Sequence, residues 1–307
     1  MRRHALIACA LSSVHGSIRV VSGDDWSASL LRVDELLTSV PPQNRDRCEG
    51  VLRGLNRPGF AQAWQDWFLY RNFFAGQRHG VYLDIGTNDP IRISNTFFFD
   101  TCLRWRGICF EPQELYHERI HTNRSCTLVP NCVLGRAANV SASVKGGGGF
   151  SVRESGGPSS MHCVGILETL RELNLHTPID LLSIDIEGNE PSVLRCMPFD
   201  ELGIRVIVIE TAHVSSLRDV DAFFHNHGYA NVATLLNTDA IWLDNIYVRL
   251  QHPLVRPPPV AACTPEDHFF TNCAGGGQFA AWPRVGRRAI ADPRWGACEQ
   301  SHGHPHR

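Results

Sequence analysis

Short apolar segments alternate with segments of helical periodicity along the middle of the chain. The apolar segments have the length and residue types of buried strands and cover Val81–Ile85, Gly107–Glu111, Cys126–Val133, Ile179–Ile184 and Val206–Glu210. Helical spacing of apolar residues is found between and after them, over Ser94–Trp105, Glu114–His121, Val164–Leu173, Pro191–Cys196 and Leu217–His227. Regular alternation of strand and helix predicts an α/β fold, a mostly parallel sheet with helices on both faces.

The segments around this core follow other patterns. Tyr229–Leu235 and Ala240–Arg249 are predicted as two late strands, so we expect a terminal antiparallel hairpin at the edge of the sheet. Residues 60–75 place aromatic side chains at helical spacing and predict a helix whose aromatics belong to the core. Residues 134–160 contain glycine clusters that break the alternation, which predicts a β-rich or mobile insertion.

Composition divides the 307-residue chain into three parts. Residues 46–250 form the predicted α/β domain, and residues 1–45 are interpreted as a signal peptide followed by a loosely ordered lead. Residues 251–307 are rich in proline, glycine and histidine, which predicts a poorly ordered tail. No apolar stretch approaches the roughly 20 residues of a membrane-spanning helix, so no stable membrane span is expected.

Charge and cysteine content bear on partners and compartment. The formal net charge of −2 provides no basic surplus, so nucleic acid is not expected as a partner. Eleven cysteines are many for a reduced protein, and two arginines before the apolar run Ala5–Leu11 resemble a short signal peptide. Two glycosylation sequons begin at Asn123 and Asn139. These features favour the secretory pathway or secretion, with a cytoplasmic location as the alternative.

Acidic residues end four of the predicted strands, namely Asp84, Glu111, Asp185 and Glu210. The carboxyl ends of parallel strands share one edge of the sheet, where open α/β folds bind ligands. Gly86 permits a tight turn after the first strand, and Glu111 occupies the position that accepts hydrogen bonds from ribose hydroxyls. The loop lacks a phosphate-binding motif, so it favours an adenosine ligand without a phosphate chain. S-adenosylmethionine fits, because its positive groups suit an acidic edge.

Three motifs resemble the FkbM-type methyltransferases. They are Gly80–Gly86 with Ser94–Thr96, then Trp105–Pro112, then Ile179–Glu190, and the resemblance runs from about residue 60 to residue 250. The resemblance implies a Rossmann-like methyltransferase fold and methyl transfer from S-adenosylmethionine to oxygen, typically a hydroxyl of a sugar or related small molecule. The acceptor is therefore expected to be a small molecule or a glycan.

The resemblance also implies roles for individual residues around the cofactor. Asp84, Gly86 and Asn88 are expected to line its methionine part, and Glu111 is expected to hold its ribose. The chain departs from the family at Pro90, where glycine is frequent.

Methyl transfer to an alcohol also needs a group that removes the hydroxyl proton. Asp185 and Glu187 are the first candidates, since the resemblance places them beside the transferred methyl group or the acceptor. His213, just beyond the fifth strand, is the second candidate. No residue is assigned as a metal ligand.

Two other functions are compatible with parts of this pattern. A metal-dependent glycosyltransferase would use Asp185 and Glu187 as an acid-x-acid metal site, although that leaves the Asp84 loop and Glu111 unexplained. A non-catalytic binding protein that retains the fold is the other alternative, because fold alone does not imply function.

Overall fold

A computed structural model describes most of the chain between Ser22 and Leu250. The described residues are 22–55, 59–144, 150–153, 160–175, 178–213, 217–236, 243–250 and 261–263, together with Trp295 and Cys298. Within them, no helix is long and apolar enough to cross a membrane.

The described residues contain twelve strands arranged in two sheets. In chain order these are β1 (Val81–Ile85), β2 (Arg106–Phe110), β3 (Thr127–Val129), β4 (Cys132–Leu134), β5 (Ala138–Val144), β6 (Phe150–Arg153), β7 (Ser160–Gly165), β8 (Leu181–Ile184), β9 (Val206–Glu210), β10 (Tyr229–Leu236), β11 (Leu243–Arg249) and β12 (Ala261–Cys263). The main sheet has the order β12-β10-β11-β9-β8-β1-β2-β3, and only β11 runs antiparallel to its neighbours. A smaller sheet has the order β4-β7-β5-β6.

Helices cover both faces of the main sheet, as the alternation predicts. The α-helices in the described residues are α1 (Gly23–Leu30), α2 (Val33–Thr38), α3 (Arg45–Arg53), α4 (Gln65–Leu69), α5 (Phe97–Leu103), α6 (Glu114–Asn123), α7 (Ile166–Glu172), α8 (Glu190–Leu194), α9 (Phe199–Leu202) and α10 (Leu217–Asn226). Helices α2 to α6 contribute to one apolar core, and α7 to α10 contribute to a second. Side chains alternate along β1, so Tyr82 enters the first core while Leu83 and Ile85 enter the second.

The predicted strand Cys126–Val133 is two strands in different sheets. Strand β3 ends at Val129 and β4 begins at Cys132, so the chain leaves the main sheet at Pro130. Proline has no N–H group for the ladder and therefore ends the pairing. The insertion that follows is β-rich in its described part, with β5, β6 and β7, while residues 145–149 lie outside the described residues.

The predicted hairpin is confirmed, and the structure adds one strand to it. Strands β10 and β11 pair antiparallel, but the later strand β11 lies inside, next to β9. Strand β12 pairs parallel with β10 and forms the edge of the described sheet. The predicted turn at residues 237–239 lies outside the described residues.

The segment before the sheet is more regular than expected for a loosely ordered lead. Helix α1 begins with a capping box between Ser22 and Asp25, and α2 and a 3-10 turn at Pro42–Asn44 follow it. Helix α4 continues as a π-helical turn over Tyr70–Phe74. The aromatic residues of α4 and this turn are buried in the first core, as predicted. Residues 1–21, which include the proposed signal peptide, lie outside the described residues.

Four disulfides join described residues that are distant in sequence. They are Cys48–Cys102, Cys109–Cys126, Cys132–Cys163 and Cys196–Cys298. The last of them ties the C-terminal segment to the second core, in which Trp295 is also buried. Such a set of disulfides is compatible with a secreted protein or an oxidising compartment.

Candidate active site

A cleft lies at the carboxyl ends of the central strands, where the order of the main sheet reverses. The chain continues from β1 to β2 on one side, and it returns to β8 and then β9 on the other. Open α/β sheets bind ligands at this switch point. The cleft is open to solvent. Its lining comprises Gly86, Asn88, Phe110, Glu111, Pro112, Gln113, Asn131, Cys132, Val133, Asp185, Ile186, Glu187 and Asn189.

Gly86 allows the loop after β1 to cross directly over the loop after β8. Its φ of 87° lies in the left-handed region. A Cβ atom there would overlap the carbonyl oxygen of Asp185 and would lie 2.9 Å from its carbonyl carbon. The N–H of Gly86 donates to the carbonyl of Phe110 at 3.0 Å. The predicted cofactor loop therefore lies in the cleft and requires glycine at this position.

Glu111 is the buried carboxylate between the first two loops of the cleft. The residue is 2% exposed, and its two oxygens accept the N–H groups of Asn88 at 2.6 Å and Gln113 at 2.7 Å. Burial raises the pKa of Glu111, and these two hydrogen bonds act in the opposite direction. Asn88 adopts a φ of 53°, which asparagine tolerates better than most residues. Each carboxylate oxygen keeps a lone pair, so Glu111 can still accept two hydroxyl groups.

Asp84 is directed away from the cleft lining, into a buried polar cluster. It is 4% exposed, and its carboxylate accepts the hydroxyl of Thr96 at 2.5 Å and the guanidinium of Arg124 at 3.4 Å. Burial raises the pKa of Asp84, while the positive charge of Arg124 counteracts this effect. Contact of Asp84 with the methionine part of a cofactor stays a prediction. In the structure, Asp84 stabilises the loop after β1 through its contacts with Thr96 and Arg124.

Arg124 is the central residue of this buried cluster, and no sequence pattern apart from a sequon marks its position. Its side chain is 0% exposed, and it contacts Asp84 and Asp100 as ion partners. It also donates to the carbonyl of Pro90 at 3.3 Å and to the hydroxyl of Tyr82 at 3.0 Å. Arg124 therefore holds the loop after β1 at both ends, at Asp84 and at Pro90.

Asp185, Glu187 and His213 are brought to one side of the cleft. Asp185 follows β8, and its N–H donates to the carbonyl of Ile85 at 3.0 Å. Glu187 has a φ of 57°, and its Oε2 lies 3.1 Å from Nε2 of His213. The sequence predicted Asp185 and Glu187 together and His213 separately, and the structure brings the Glu187 carboxylate into contact with the His213 ring. A carboxylate that orients a histidine is an arrangement used for proton transfer.

Behind Asp185 the cleft floor contains three further acids, Glu190, Glu210 and Asp244. Desolvation and the charge of Glu210 raise the pKa of Asp185 well above its ordinary value. Asp185 is itself exposed to the cleft, and the negative charge of Glu210 beside it opposes its ionisation. Burial, with the charge of Glu210, raises the pKa of both Glu190 and Asp244 to about 7. Asp244 was missed in the sequence because it lies within β11, far from any motif.

A comparison with protein families bears on the functions that such a cleft could serve. The family model described as methyltransferase FkbM domain matches residues 84–230, which contain the loops after β1, β2, β8 and β9. Over these residues the chain is similar to the methyltransferase FkbM domain. This assignment favours the methyltransferase prediction over the glycosyltransferase alternative. No curated protein matches the chain in sequence.

Three solved structures are similar to this chain at low sequence identity. Methyltransferase FkbM from Methylobacillus flagellatus KT is 14% identical with a TM-score of 0.41, and the match covers 73% of this chain and 60% of that protein. Human methyltransferase 10 domain containing protein is 10% identical with a TM-score of 0.32, over 58% and 75% of the two chains. The METTL16 methyltransferase domain is 9% identical with a TM-score of 0.37, over 74% and 93%.

Proposed function

We propose that the FkbM domain transfers a methyl group from S-adenosylmethionine to a hydroxyl of a sugar or another small molecule. The observation that carries this proposal is Glu111, a buried carboxylate at the cleft whose two oxygens are each fixed by one backbone N–H. That arrangement leaves two acceptor positions, which match the two adjacent hydroxyls of a ribose.

The charge of the cleft fits this cofactor. Among its lining residues are three carboxylates, Glu111, Asp185 and Glu187, and none of the lining residues is lysine or arginine. A ligand with phosphates would be repelled by such a lining, whereas the sulfonium and ammonium groups of S-adenosylmethionine would be attracted. Gly86 and Asn88 would hold its methionine part through the backbone of the loop, and Glu111 would hold its ribose.

The chain's own residues would position the acceptor and take its proton. When bound, the cofactor supplies a methyl group activated by a positively charged sulfur. Asp185, exposed to the cleft, would accept a hydrogen bond from the acceptor and so align its oxygen with the methyl carbon. The paired Glu187 and His213 would receive the hydroxyl proton as the oxygen–carbon bond forms. The smaller sheet contributes Cys132 and Val133 to the opposite wall.

Binding of S-adenosylhomocysteine to the purified chain, measured by calorimetry, tests the cofactor assignment. We expect Glu111→Ala to weaken binding by about 10- to 100-fold, since hydrogen bonds to a charged group contribute about 1.5–3 kcal/mol. Glu118→Ala is the matched control, because it truncates an exposed glutamate on the nearby helix α6. Normal binding by Glu111→Ala would contradict the site. Metal-dependent binding of a nucleotide diphosphate sugar, without S-adenosylhomocysteine binding, would support the glycosyltransferase instead.

Methyl transfer is tested with methyl-labelled cofactor and a panel of sugars, glycans and small alcohols. Labelling of a hydroxyl acceptor that falls in a Glu187→Gln and a His213→Ala variant supports the proposal. If the chain bound the cofactor but labelled no acceptor in the panel, the non-catalytic alternative would be favoured.

We also propose that the chain enters the secretory pathway, which four disulfides support. Asn139 is exposed on β5, whereas Asn123 is half-buried and its side-chain amide donates to the carbonyl of Arg119 at 2.8 Å. Glycosylation is therefore expected at Asn139 before Asn123. Mass spectrometry of the chain expressed through a eukaryotic secretory pathway measures both sites and the N-terminus. Reduced cysteines with unoccupied sequons would favour the cytoplasmic alternative.

A further inference from the structure

Three carboxyl groups from three separate elements meet at the floor of the cleft. Asp185 follows β8, Glu190 begins α8 and Glu210 ends β9. One carboxylate oxygen of each lies within 4.8 Å of the oxygens offered by the other two. Asp185 is exposed to the cleft, while the other two are buried. Asp244 lies opposite Glu210 in the β9–β11 pairing, so the acidic floor extends to a fourth carboxyl group.

Glu190 supplies a second observation that points to a ligand. The residue is 1% exposed, and its Oε1 accepts the N–H groups of Ile186 at 2.9 Å and Gly188 at 3.2 Å. Its Oε2 is buried and has no hydrogen-bond partner among the described residues. Among the same residues, Glu190 forms no ion pair with a lysine, arginine or histidine. A buried carboxylate oxygen without a donor is unfavourable unless a cation compensates its charge.

We propose that Asp185, Glu190 and Glu210 bind one divalent cation of the Mg²⁺, Mn²⁺ or Ca²⁺ class at the floor of the cleft. These hard cations prefer carboxylate oxygens, and thiolate or imidazole ligands are absent from the cluster. Ligand oxygens lie about 2.1 Å from Mg²⁺ and about 2.4 Å from Ca²⁺, so opposite ligands are about 4.2 to 4.8 Å apart. The three oxygens therefore already lie within the span of one coordination shell.

The position of Asp185 gives this cation access to the cleft. Two ligands are buried behind it, so the exposed side of its coordination shell would be completed by water or by a bound molecule. The catalytic role rests on the proposed function. A cation at this place would bind an acceptor hydroxyl and lower its pKa, which favours acceptors with two adjacent hydroxyls that chelate it.

A cluster of carboxyls can also be stabilised by protons instead of a metal ion. Asp185 and Glu210 lie close enough to share a hydrogen bond, which requires a proton on one of them. This arrangement is the competing explanation of the same geometry, and it predicts no stoichiometric metal binding.

Titration of the full-length chain with Mn²⁺, after removal of metal by EDTA and dialysis, distinguishes the two explanations. Free Mn²⁺ is followed by electron paramagnetic resonance, and we expect one ion bound per chain. Glu190→Gln and Glu210→Gln are each expected to weaken binding by at least about tenfold, because each removes a charged ligand. Asp89→Asn is the matched control, since Asp89 lies in the β1 loop outside the cluster and pairs with Arg119 at 2.8 Å.

Asp185→Asn serves as a further variant if burial prevents either glutamine variant from folding, because its side chain is exposed to the cleft. Absence of stoichiometric Mn²⁺ binding by the wild type would overturn the proposal, as would binding retained in every cluster variant. Equal loss in Asp89→Asn would also overturn it. S-adenosylhomocysteine binding in EDTA, measured on the same samples, reports on the proposed function separately.

Discussion

Gly86→Ala is the substitution that most directly tests how the cleft is built. Two costs follow from the structure. An alanine at a φ of 87° is strained by about 1–2 kcal/mol. Its Cβ would also overlap the carbonyl oxygen of Asp185 and lie 3.1 Å from Cγ2 of Ile186, so the two loops must separate. Forced separation in a packed region costs about another 1–3 kcal/mol.

Gly228→Ala separates these two costs. Gly228 has a similar φ of 81°, but nothing lies within 4 Å of the position its Cβ would take. This variant should therefore lose only the backbone cost of about 1–2 kcal/mol. We expect Gly86→Ala to lose about 2–5 kcal/mol in all, the sum of the backbone and separation costs.

Urea unfolding followed by circular dichroism measures both variants under identical conditions. Calorimetry with S-adenosylhomocysteine adds a second readout, because separation of the two loops in Gly86→Ala would displace the backbone expected to hold the ligand and weaken its binding. Gly228→Ala should bind normally, because Gly228 lies after α10 and outside the cleft lining. Equal losses of stability in the two variants would refute the crossing of the β1 and β8 loops.

Two further predictions concern buried charges. Because the pKa of Asp244 is raised to about 7, the folded chain holds a proton that the unfolded chain has released, and its free energy of unfolding should fall as pH rises from about 4 to 7. In urea unfolding with EDTA present, the free energy of unfolding of Asp244→Asn should fall less steeply with pH across this range. The fall that remains is expected to come from Glu190, whose pKa is also raised. An unchanged dependence on pH would contradict the burial of Asp244. Arg124→Met should lose about 3–5 kcal/mol in unfolding experiments, since it leaves buried aspartates unpaired. Arg119→Met, at an exposed pair, should lose at most about 1 kcal/mol, and similar losses in the two variants would count against the buried cluster.

The succession of strands along the chain and the position of the cleft could be predicted from sequence, because both depend on local signals. Apolar runs that end in an acid locate β1, β2, β8 and β9, and Glu111 lies where this pattern placed it. The break at Pro130 was also a local signal, and attention to its missing N–H would have divided the predicted third strand.

The contacts of the acidic residues depend on distant parts of the chain and could not be predicted. Side chains alternate along β1, so Asp84 shares the face of Tyr82, but its partner Arg124 lies 40 residues away. Asp244 reaches the cleft floor only because β11 inserts beside β9, an arrangement that periodicity does not specify. The contact between Glu187 and His213 likewise joins the loop after β8 to the loop after β9, and their sequence positions do not show that the two loops meet.

The Cys196–Cys298 disulfide gives the C-terminal part of the chain an unusual covalent topology. It joins two cysteines with a sequence separation of 102, one just after α8 and the other beyond β12. A protease that cuts once between Leu250 and Cys298 therefore produces two fragments that remain one molecule. Such a cut is invisible in a non-reducing gel and appears only after reduction. The chain can thus be nicked in this segment and still keep Trp295 linked to the core that it fills.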